Sequence, residues 1–427
     1  MNVALVTMLD DAFYPGFQAF ITSLLKSNPE YDITHDLIVL DCGLSRDTIE
    51  KISILYPRVI IRNIKKDLYT NVSFDRIPDR VKATVYKLEF FNIEGYDRLI
   101  FIDSDCLVLD SLEELEKIEL TLEKPLAAVP AYNAHSNQTV NSINSGVLVY
   151  NRKDTSVYNQ LVKAMNETST VLPDQTIINT VLSGRIQFLP KRFNVEKRMA
   201  DKGRLNVKDY HATMDNTPIA ILHFVGEKPW YEKKHEQGYN FLYLLWSLYY
   251  EISVRRSRNA KPGLERLCKY VKNTIGSFKM AEIGSYAGDS GSVFAQYAKY
   301  IYCIDPWKND YDEKDKSSSL FPMELVFRHF VLKMKRFVNY THLRITSEEA
   351  SKNIRDEALD MVYIDANHTY ESVIKDLNLW GPKVRAGGIV SGHDLQDQFP
   401  GVKKALLEYF HRLPDMVFED TSWAYKK

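Results

Sequence analysis

Short apolar runs alternate with amphipathic stretches along most of this chain. In the first part the runs fall at Val3–Thr7, Leu37–Leu40, Val59–Ile61, Leu99–Ile102, Ala127–Val129, Gly146–Tyr150 and Ile219–His223. Helix-compatible segments such as Phe17–Ser27 and Ser45–Leu55 lie between several of them. Short runs bounded by polar turns read as strands buried on both faces, and their alternation with helices predicts a mostly parallel, helix-covered sheet. The same rhythm restarts further on. Strands are expected at Met280–Ile283, Tyr300–Ile304, Met361–Ile364 and Ile389–Ser391, with helices at Ser290–Lys299, Met323–Phe337 and Tyr370–Trp380. The polar stretch 308–319 is expected as a loop, and one of that length beside a ligand site commonly acts as a lid.

Between the two patterns, residues 239–258 predict one helix, aromatic in its first half. It ends in Arg255, Arg256 and Arg258, and Lys261-Pro262-Gly263 is expected to stop it. The spacing fits a packed connector or an interfacial membrane helix with a basic rim. A chain of 427 residues has room for two or three domains. The fold class expected is α/β, with a first domain over 1–240, a connector over 241–262 and a second domain over 263–427.

Composition narrows the function classes. Lys plus Arg number 55 against 56 for Asp plus Glu, so there is no basic excess to bind nucleic acid. Cysteines stand only at 42, 106, 268 and 303, too scattered for a disulfide framework or a four-cysteine zinc site. The start of the chain lacks the basic-then-apolar pattern of a secretory signal. The longest apolar stretch, Phe241–Tyr250, is about half of what a membrane span needs. A cytoplasmic protein is expected, with peripheral contact at the inner face of the membrane through the aromatic helix as a further expectation. Nothing in the sequence bears on oligomeric state.

Two places carry chemistry. The strand Leu99–Ile102 runs into Asp103-Ser104-Asp105, and alternation along an extended chain would put both carboxylates on one side. Hard oxygen donors at the end of a sheet suit Mg²⁺ or Mn²⁺ with a diphosphate completing the shell. Asp-x-Asp alone is also an ordinary exposed turn. Another strand ends in Ile221-Leu222-His223, followed by Gly226 and Lys228. His223 could be a third metal ligand and Lys228 could neutralise phosphate. Asn144-Ser145-Gly146 and Pro173-Asp174-Gln175 add polar groups suited to sugar hydroxyls.

These pieces, with Val6-Thr7, Asp10, Asp11, Tyr14, Tyr86-Lys87-Leu88 and Lys228-Pro229-Trp230, resemble the glycogenin-like retaining glycosyltransferases of family 8, in the family's order and over roughly residues 1–240. The resemblance implies a nucleotide-diphospho-sugar transferase fold of the GT-A type and a UDP-sugar donor. It implies Mn²⁺ (or Mg²⁺) on Asp103, Asp105 and His223, with Lys228 on the diphosphate. Thr7, Leu9 and Tyr14 would line the base and Lys87 would face the donor. Asp103, Asn144, Asp174 and Gln175 would surround the donor sugar and a glycan acceptor. Asp174 and Gln175 would stabilise the transition state rather than attack. The loop between Gly226 and Lys228 is one residue shorter than is usual in the family.

The second place is Ala281-Glu282-Ile283-Gly284-Ser285-Tyr286-Ala287-Gly288, where glycines let the backbone turn and approach a ligand. Its spacing is neither the dinucleotide fingerprint nor a P-loop. Asp305 ends the next strand, where an acid can accept from ribose hydroxyls. With Ile304-Asp305-Pro306-Trp307, Tyr363-Ile364-Asp365 through His368 and Gly392-His393-Asp394, residues 270–425 resemble class I methyltransferases. The resemblance implies S-adenosylmethionine, held by Glu282, Gly284, Ser285, Gly288 and Asp305. Asp365, His368, His393 and Asp394 have three readings: a Mg²⁺ site involving Asp365 and Asp394, a general base at His368 or His393, or hydrogen bonds that fix loops. The whole chain then reads as a bifunctional enzyme that adds a sugar and methylates a saccharide, the acceptor atom being oxygen. The alternative is a glycosyltransferase whose second domain is an inactive binding module.

Overall fold

The computed structural model describes residues 1–64, 84–133, 138–152, 156–167, 173–202, 204–208, 210–231, 239–252, 260–311 and 317–427. The chain forms two compact units, Met1–Glu251 and Ile252–Lys427.

The described strands of the first unit are β1 (Val3–Leu9), β2 (Asp36–Asp41), β3 (Val59–Asn63), β4 (Arg98–Ile102), β5 (Cys106–Val108), β6 (Leu126–Asn133), β7 (Gln138–Asn151), β8 (Ile186–Phe188), β9 (Val195–Glu196), β10 (Leu205–Lys208), β11 (His211–Met214), β12 (Thr217–Pro218) and β13 (Ile221–His223). The main sheet has the order β3-β2-β1-β4-β7-β6-β8. Its β3, β2, β1 and β4 run parallel, and β7 turns antiparallel to β4. All of β4 and nearly all of β1 are buried, as their unbroken apolar runs require when both faces are covered. The chain leaves β1 toward β2 on one side and returns at β4 on the other. Such a switch point opens a crevice at the carboxyl ends of the strands, here beside Leu9 and Asp103. A small sheet, β5-β13-β9, places His223 opposite Cys106 and beside Glu196 at that same end.

The helix Tyr14–Ser27 begins with Pro15 in its first turn and buries Phe17, Phe20, Ile21 and Leu24. It packs against the helix Asn240–Tyr250. That second helix is the first part of the expected connector, and the structure corrects the reading. It ends at Tyr250 within the first unit, and its Leu242, Tyr243, Leu245, Trp246 and Tyr249 are buried. Those five side chains are used in packing, while Leu244 stays exposed. Pro262-Gly263 does not stop a helix either: a new one, Ala260–Ile275, contains both in its first turn, where proline's missing N–H costs no hydrogen bond. Arg255, Arg256 and Arg258 lie outside the described residues, as does 312–316 of the expected lid. No helix among the described residues is long and apolar enough to cross a membrane.

The second unit contributes β14 (Lys279–Ile283), β15 (Tyr300–Ile304), β16 (Tyr340–Leu343), β17 (Leu359–Ile364), β18 (Val384–Gly392), β19 (Met416–Val417) and β20 (Trp423–Lys426). Their order is β16-β15-β14-β17-β18-β20-β19. The first five are parallel, and β20 and β19 close the sheet as an antiparallel pair. The switch point lies between β14 and β17. The apolar pattern misses the edge strands β16 and β19, which expose much of their length and lose the continuous run, and β20, an inner strand whose four residues give too short a run to stand out. Helices Asp289–Tyr297, Met323–Met334 and Tyr370–Trp380 form close to the expected positions.

Candidate active sites

The carboxylates of Asp103 and Asp105 meet by a different route from the one expected. Residues 103–105 form a turn, closed by Cys106 N donating to Asp103 O at 3.1 Å, rather than a continuing strand. Asp103 N donates to Gly146 O at 2.9 Å, which ties the turn to β7. His223 arrives from β13, its Nε2 3.3 Å from Asp105 Oδ1 and 3.9 Å from Asp103 Oδ2.

Two ammonium groups neutralise the pair. Lys87, from the short helix Tyr86–Asn92, lies 3.0 Å from Asp103 Oδ1 and 3.4 Å from Asp174 Oδ2, and also donates to Ser145 O at 3.1 Å. Lys228 pairs with Asp105 and donates to Phe224 O at 2.9 Å, so the shortened loop still brings it to the site. Burial alone would lower the Lys87 ammonium, but Asp103 and Asp174 outweigh it and raise it. Burial pushes Asp103 above the usual carboxylate range despite Lys87. Asp105 is more deeply buried than Asp103, yet Lys228 and His223 hold it well below that range.

The donor set fits a divalent cation. Asp103, Asp105 and His223 offer two carboxylates and an imidazole from two strand ends, a combination that suits Mn²⁺. Cys106 also has its sulfur within the cluster of ligand atoms around Asp105 and His223. Burial beside two carboxylates pushes its thiol well up, so it is not presented as a thiolate. Nearby, Thr7 Oγ1 and Tyr14 Oη are buried and have no hydrogen-bond partner among the described residues. Leu9 is buried at the end of β1. Orphaned hydroxyls beside a sheet switch point fit a ligand that supplies their partners. Asp174 opens the helix Asp174–Val181, and Gln175 Oε1 accepts from Ser145 N at 3.4 Å. Asn144 Nδ2 is engaged with Glu196 Oε1 at 3.0 Å.

In the second unit a cavity of about 430 Å³ opens at the carboxyl ends of β14, β15 and β17. Gly284, Tyr286, Asp305, Glu348, Asp365 and His368 are among its lining residues. Gly284 has φ +90°, and a Cβ there would lie 2.3 Å from Asp365 O. The turn can therefore pass this point only as glycine, leaving a backbone cradle. Asp305 accepts from Tyr286 N at 3.0 Å and Trp307 N at 2.8 Å, which fixes its carboxylate at the rim. The lining takes Gly284 and Asp305 but not Glu282, Ser285 or Gly288. Glu282 and Ser285 are buried and bonded to each other at 2.7 Å, so they hold the turn from beneath. The cradle and the cavity fit a nucleoside-containing cofactor.

Asp365, His368, His393 and Asp394 do converge. His368 Nε2 lies 2.6 Å from Asp394 Oδ2 and 3.5 Å from Asp365 Oδ1, and His393 Nδ1 lies 3.3 Å from Asp394 Oδ1 and 3.6 Å from Asp365 Oδ1. Burial would lower both imidazoles, but the two carboxylates raise His368 to about 10 and His393 to about 9. Both therefore hold protons at neutral pH in this arrangement. Ligand atoms of Asp365, His368 and Asp394 lie within 4.8 Å of one another, so they also fit a divalent cation.

With this geometry in place, comparison with known proteins gives a direct result. Residues 4–234, over half of the chain, match the profile of glycosyl transferase family 8. The chain belongs to this family. Residues 281–395 of this family 8 enzyme match a second profile, described as a methyltransferase domain. General stress protein A of Bacillus subtilis is 26% identical over 253 residues, covering 53% of this chain and 86% of that protein. Glycosyltransferase GlyF of Streptococcus pneumoniae serotype 4 is 24% identical over 276 residues, covering 60% of this chain and 65% of GlyF. Among solved structures, galactosyltransferase LgtC, bound to donor and acceptor sugar analogues, aligns with 20% identity and a TM-score of 0.44 over 57% of this chain and 95% of its own. The chain is thus a transferase that joins a family 8 glycosyltransferase domain to a methyltransferase domain.

Proposed function

We propose that the glycosyltransferase domain transfers a hexose from a UDP-sugar to a glycan acceptor, with retention and dependence on a divalent metal. The observation that carries this reading is the convergence of Asp103, Asp105 and His223 with Lys228 at the switch point. Asp103, Asp105 and His223 would hold Mn²⁺, which supplies positive charge against the departing diphosphate when bound. Lys228 would move its charge from Asp105 to a phosphate oxygen. Thr7 and Tyr14 would give their unpaired hydroxyls to the base. Lys87 holds Asp103 and Asp174 in fixed positions facing the sugar, and Gln175 would orient hydroxyls, whereas Asn144 is already engaged by Gly146, Asn194 and Glu196 and would act on the site from behind. Asp174, paired with Lys87, would stabilise developing positive charge at the anomeric carbon without attacking it. Adding Mn²⁺ to the purified protein with UDP-glucose or UDP-galactose should release UDP. Full release by the Asp103→Ala/Asp105→Ala variant would overturn the metal assignment.

We further propose that the second domain binds S-adenosylmethionine in the 430 Å³ cavity and methylates a saccharide oxygen. When bound, the cofactor supplies a methyl group on a sulfonium. Gly284 and Asp305 would hold it, and Asp365 and Asp394 would carry a divalent cation that orients substrate hydroxyls. A base role for His368 or His393 requires that Asp365 and Asp394 be engaged elsewhere, because those carboxylates now keep both imidazoles protonated. That same observation supports a second reading, in which the domain binds cofactor or glycan without methylating. Calorimetric titration with S-adenosylmethionine, followed by methyl transfer to the product of the first domain, separates the two. Binding without transfer at any divalent-metal concentration would favour the binding module.

A further inference from the structure

A chain of buried side chains behind His223 sets the proton on its ring. It starts from a group whose role admits no ambiguity: the backbone N–H of Gly146 donates to Asn144 at 2.8 Å, so the Asn144 atom facing it must be the amide oxygen. That oxygen also lies 2.8 Å from an Asn194 side-chain atom, which must therefore be the amide nitrogen. The other end of Asn194 is then its oxygen, an acceptor, and it lies 2.9 Å from His223 Nδ1. Nδ1 has to carry a hydrogen. Asn144 closes the set by donating from Nδ2 to Glu196 Oε1 at 3.0 Å, and Arg198 Nε donates to the other Glu196 oxygen at 2.7 Å. Every donor and acceptor along this line is paired in one direction. Asn144, Asn194, Glu196 and His223 are all buried, so neither amide can turn without leaving polar atoms unsatisfied.

We propose that Asn194, locked by Asn144 and Glu196, is a positioning residue that holds His223 as the Nδ1–H tautomer and so turns the Nε2 lone pair toward Asp103 and Asp105. An imidazole ligates a metal through an unprotonated nitrogen, and a partner on the other nitrogen both selects the tautomer and fixes the ring. Gly146 belongs to the device. A Cβ at that position would lie 2.4 Å from His223 Cε1 and 2.5 Å from Nδ1, so only glycine leaves room for the ring against β7. Glu196 is available because β9 pairs with β13 in a register that sets it beside His223. The proposal rests on the metal reading of Asp103, Asp105 and His223.

The test uses the full chain and two independent readouts. Long-range ¹H–¹⁵N spectra of histidine-labelled, metal-free protein, with His223→Gln to assign the resonance and pH raised until the ring is neutral, should show that Nδ1 keeps its proton and Nε2, which faces Asp105 at 3.3 Å, is the nitrogen that loses one, leaving the Nδ1–H tautomer. An Nε2–H tautomer would overturn the proposal, and this measurement needs no variant of the relay to fold. Titration with Mn²⁺ alone, followed by loss of the free-ion EPR signal, should show affinity weakened about 10- to 100-fold in Asn194→Leu. Unchanged affinity in that variant, with a circular dichroism spectrum like wild type, would also overturn it. If wild-type protein takes up no Mn²⁺ but shows the Nδ1–H tautomer, the metal reading fails while the relay's control of the ring stands. If it takes up Mn²⁺ and shows the other tautomer, the relay fails alone.

Discussion

Both domains place their candidate chemistry at the same topological feature, the point where a parallel sheet changes direction, yet they prepare it in opposite ways. In the glycosyltransferase domain two carboxylates are closed in by two ammonium groups, Lys87 and Lys228, whose protons are held more tightly than usual. The charge there is fixed across the physiological range. In the methyltransferase domain two carboxylates are matched by two histidines, and Asp365 and His368 of this group line the cavity. The charge there can be removed by raising the pH or by another cation. A site that must meet a diphosphate benefits from permanent positive groups. One built from imidazoles can gain or lose protons as its ligands arrive. The contrast shows that the shared switch-point topology decides where a ligand sits, while the partners of the acids decide how the site responds to its surroundings.

This contrast can be tested by attacking each site separately. Asp103→Ala/Asp105→Ala should lower sugar transfer by at least about 10³-fold, measured as UDP release, with S-adenosylmethionine affinity unchanged. A parallel loss of cofactor affinity would mean that the sites are not separately built. Lys87→Met leaves the half-buried Asp103 and the buried Asp174 without their shared counter-charge. It should destabilise the first domain by about 3–5 kcal/mol, seen as a fall in one calorimetric transition only. Gly284→Val puts a side chain against Asp365 O at a backbone angle that disfavours it. S-adenosylmethionine affinity should fall about 10- to 100-fold by calorimetry, with UDP release intact.

The pH response distinguishes the domains further. His368 and His393 are raised to about 10 and 9, so the folded second domain binds protons more tightly than the unfolded chain. Their contribution is complete below the ordinary histidine value near 6.5 and is lost as pH rises through about 9 to 10. Metal-free protein should lose about 2–3 kcal/mol of second-domain stability over that window. Asp394→Asn should flatten the loss, and a melting profile between pH 6.5 and 10 in both proteins checks it. A smaller effect is expected from Tyr14→Phe. The hydroxyl is buried and unpartnered, so its removal should leave stability unchanged or slightly higher while weakening UDP binding about 5- to 10-fold.

Much of the architecture could be read along the chain, for a definite reason. The central strands β1, β2, β4, β14, β15 and β17 are buried on both faces, so their apolar character is continuous and visible. The edge strands β16 and β19 and the start of the helix Ala260–Ile275 were not legible, because half-exposed segments mix polar and apolar positions and Pro262-Gly263 resembles a stop. Asp103, Asp105, His223 and Gly284 stood out because each ends a recognisable strand. Lys87 entered only through resemblance to the family, and its bridging of Asp103 and Asp174 appears only when three separate segments meet. Asn194 and Glu196 carried no signal at all, since their importance depends on β9 lying beside β13.

The sequence by itself determined that there are two αβ domains, that acids stand at a strand end in the first and a glycine turn follows a strand in the second, and that the chain belongs with the family 8 glycosyltransferases. These are local properties, written in periodicity and in short motifs. Only the tertiary structure decided which carboxylate is paired with which cation, that one face of the aromatic helix is buried within the first unit, and that Gly146 sets the direction of a hydrogen-bond chain ending on a histidine 77 residues later. Pairing, burial and proton position depend on distances between segments far apart in the chain, and those distances exist only once the sheet has formed.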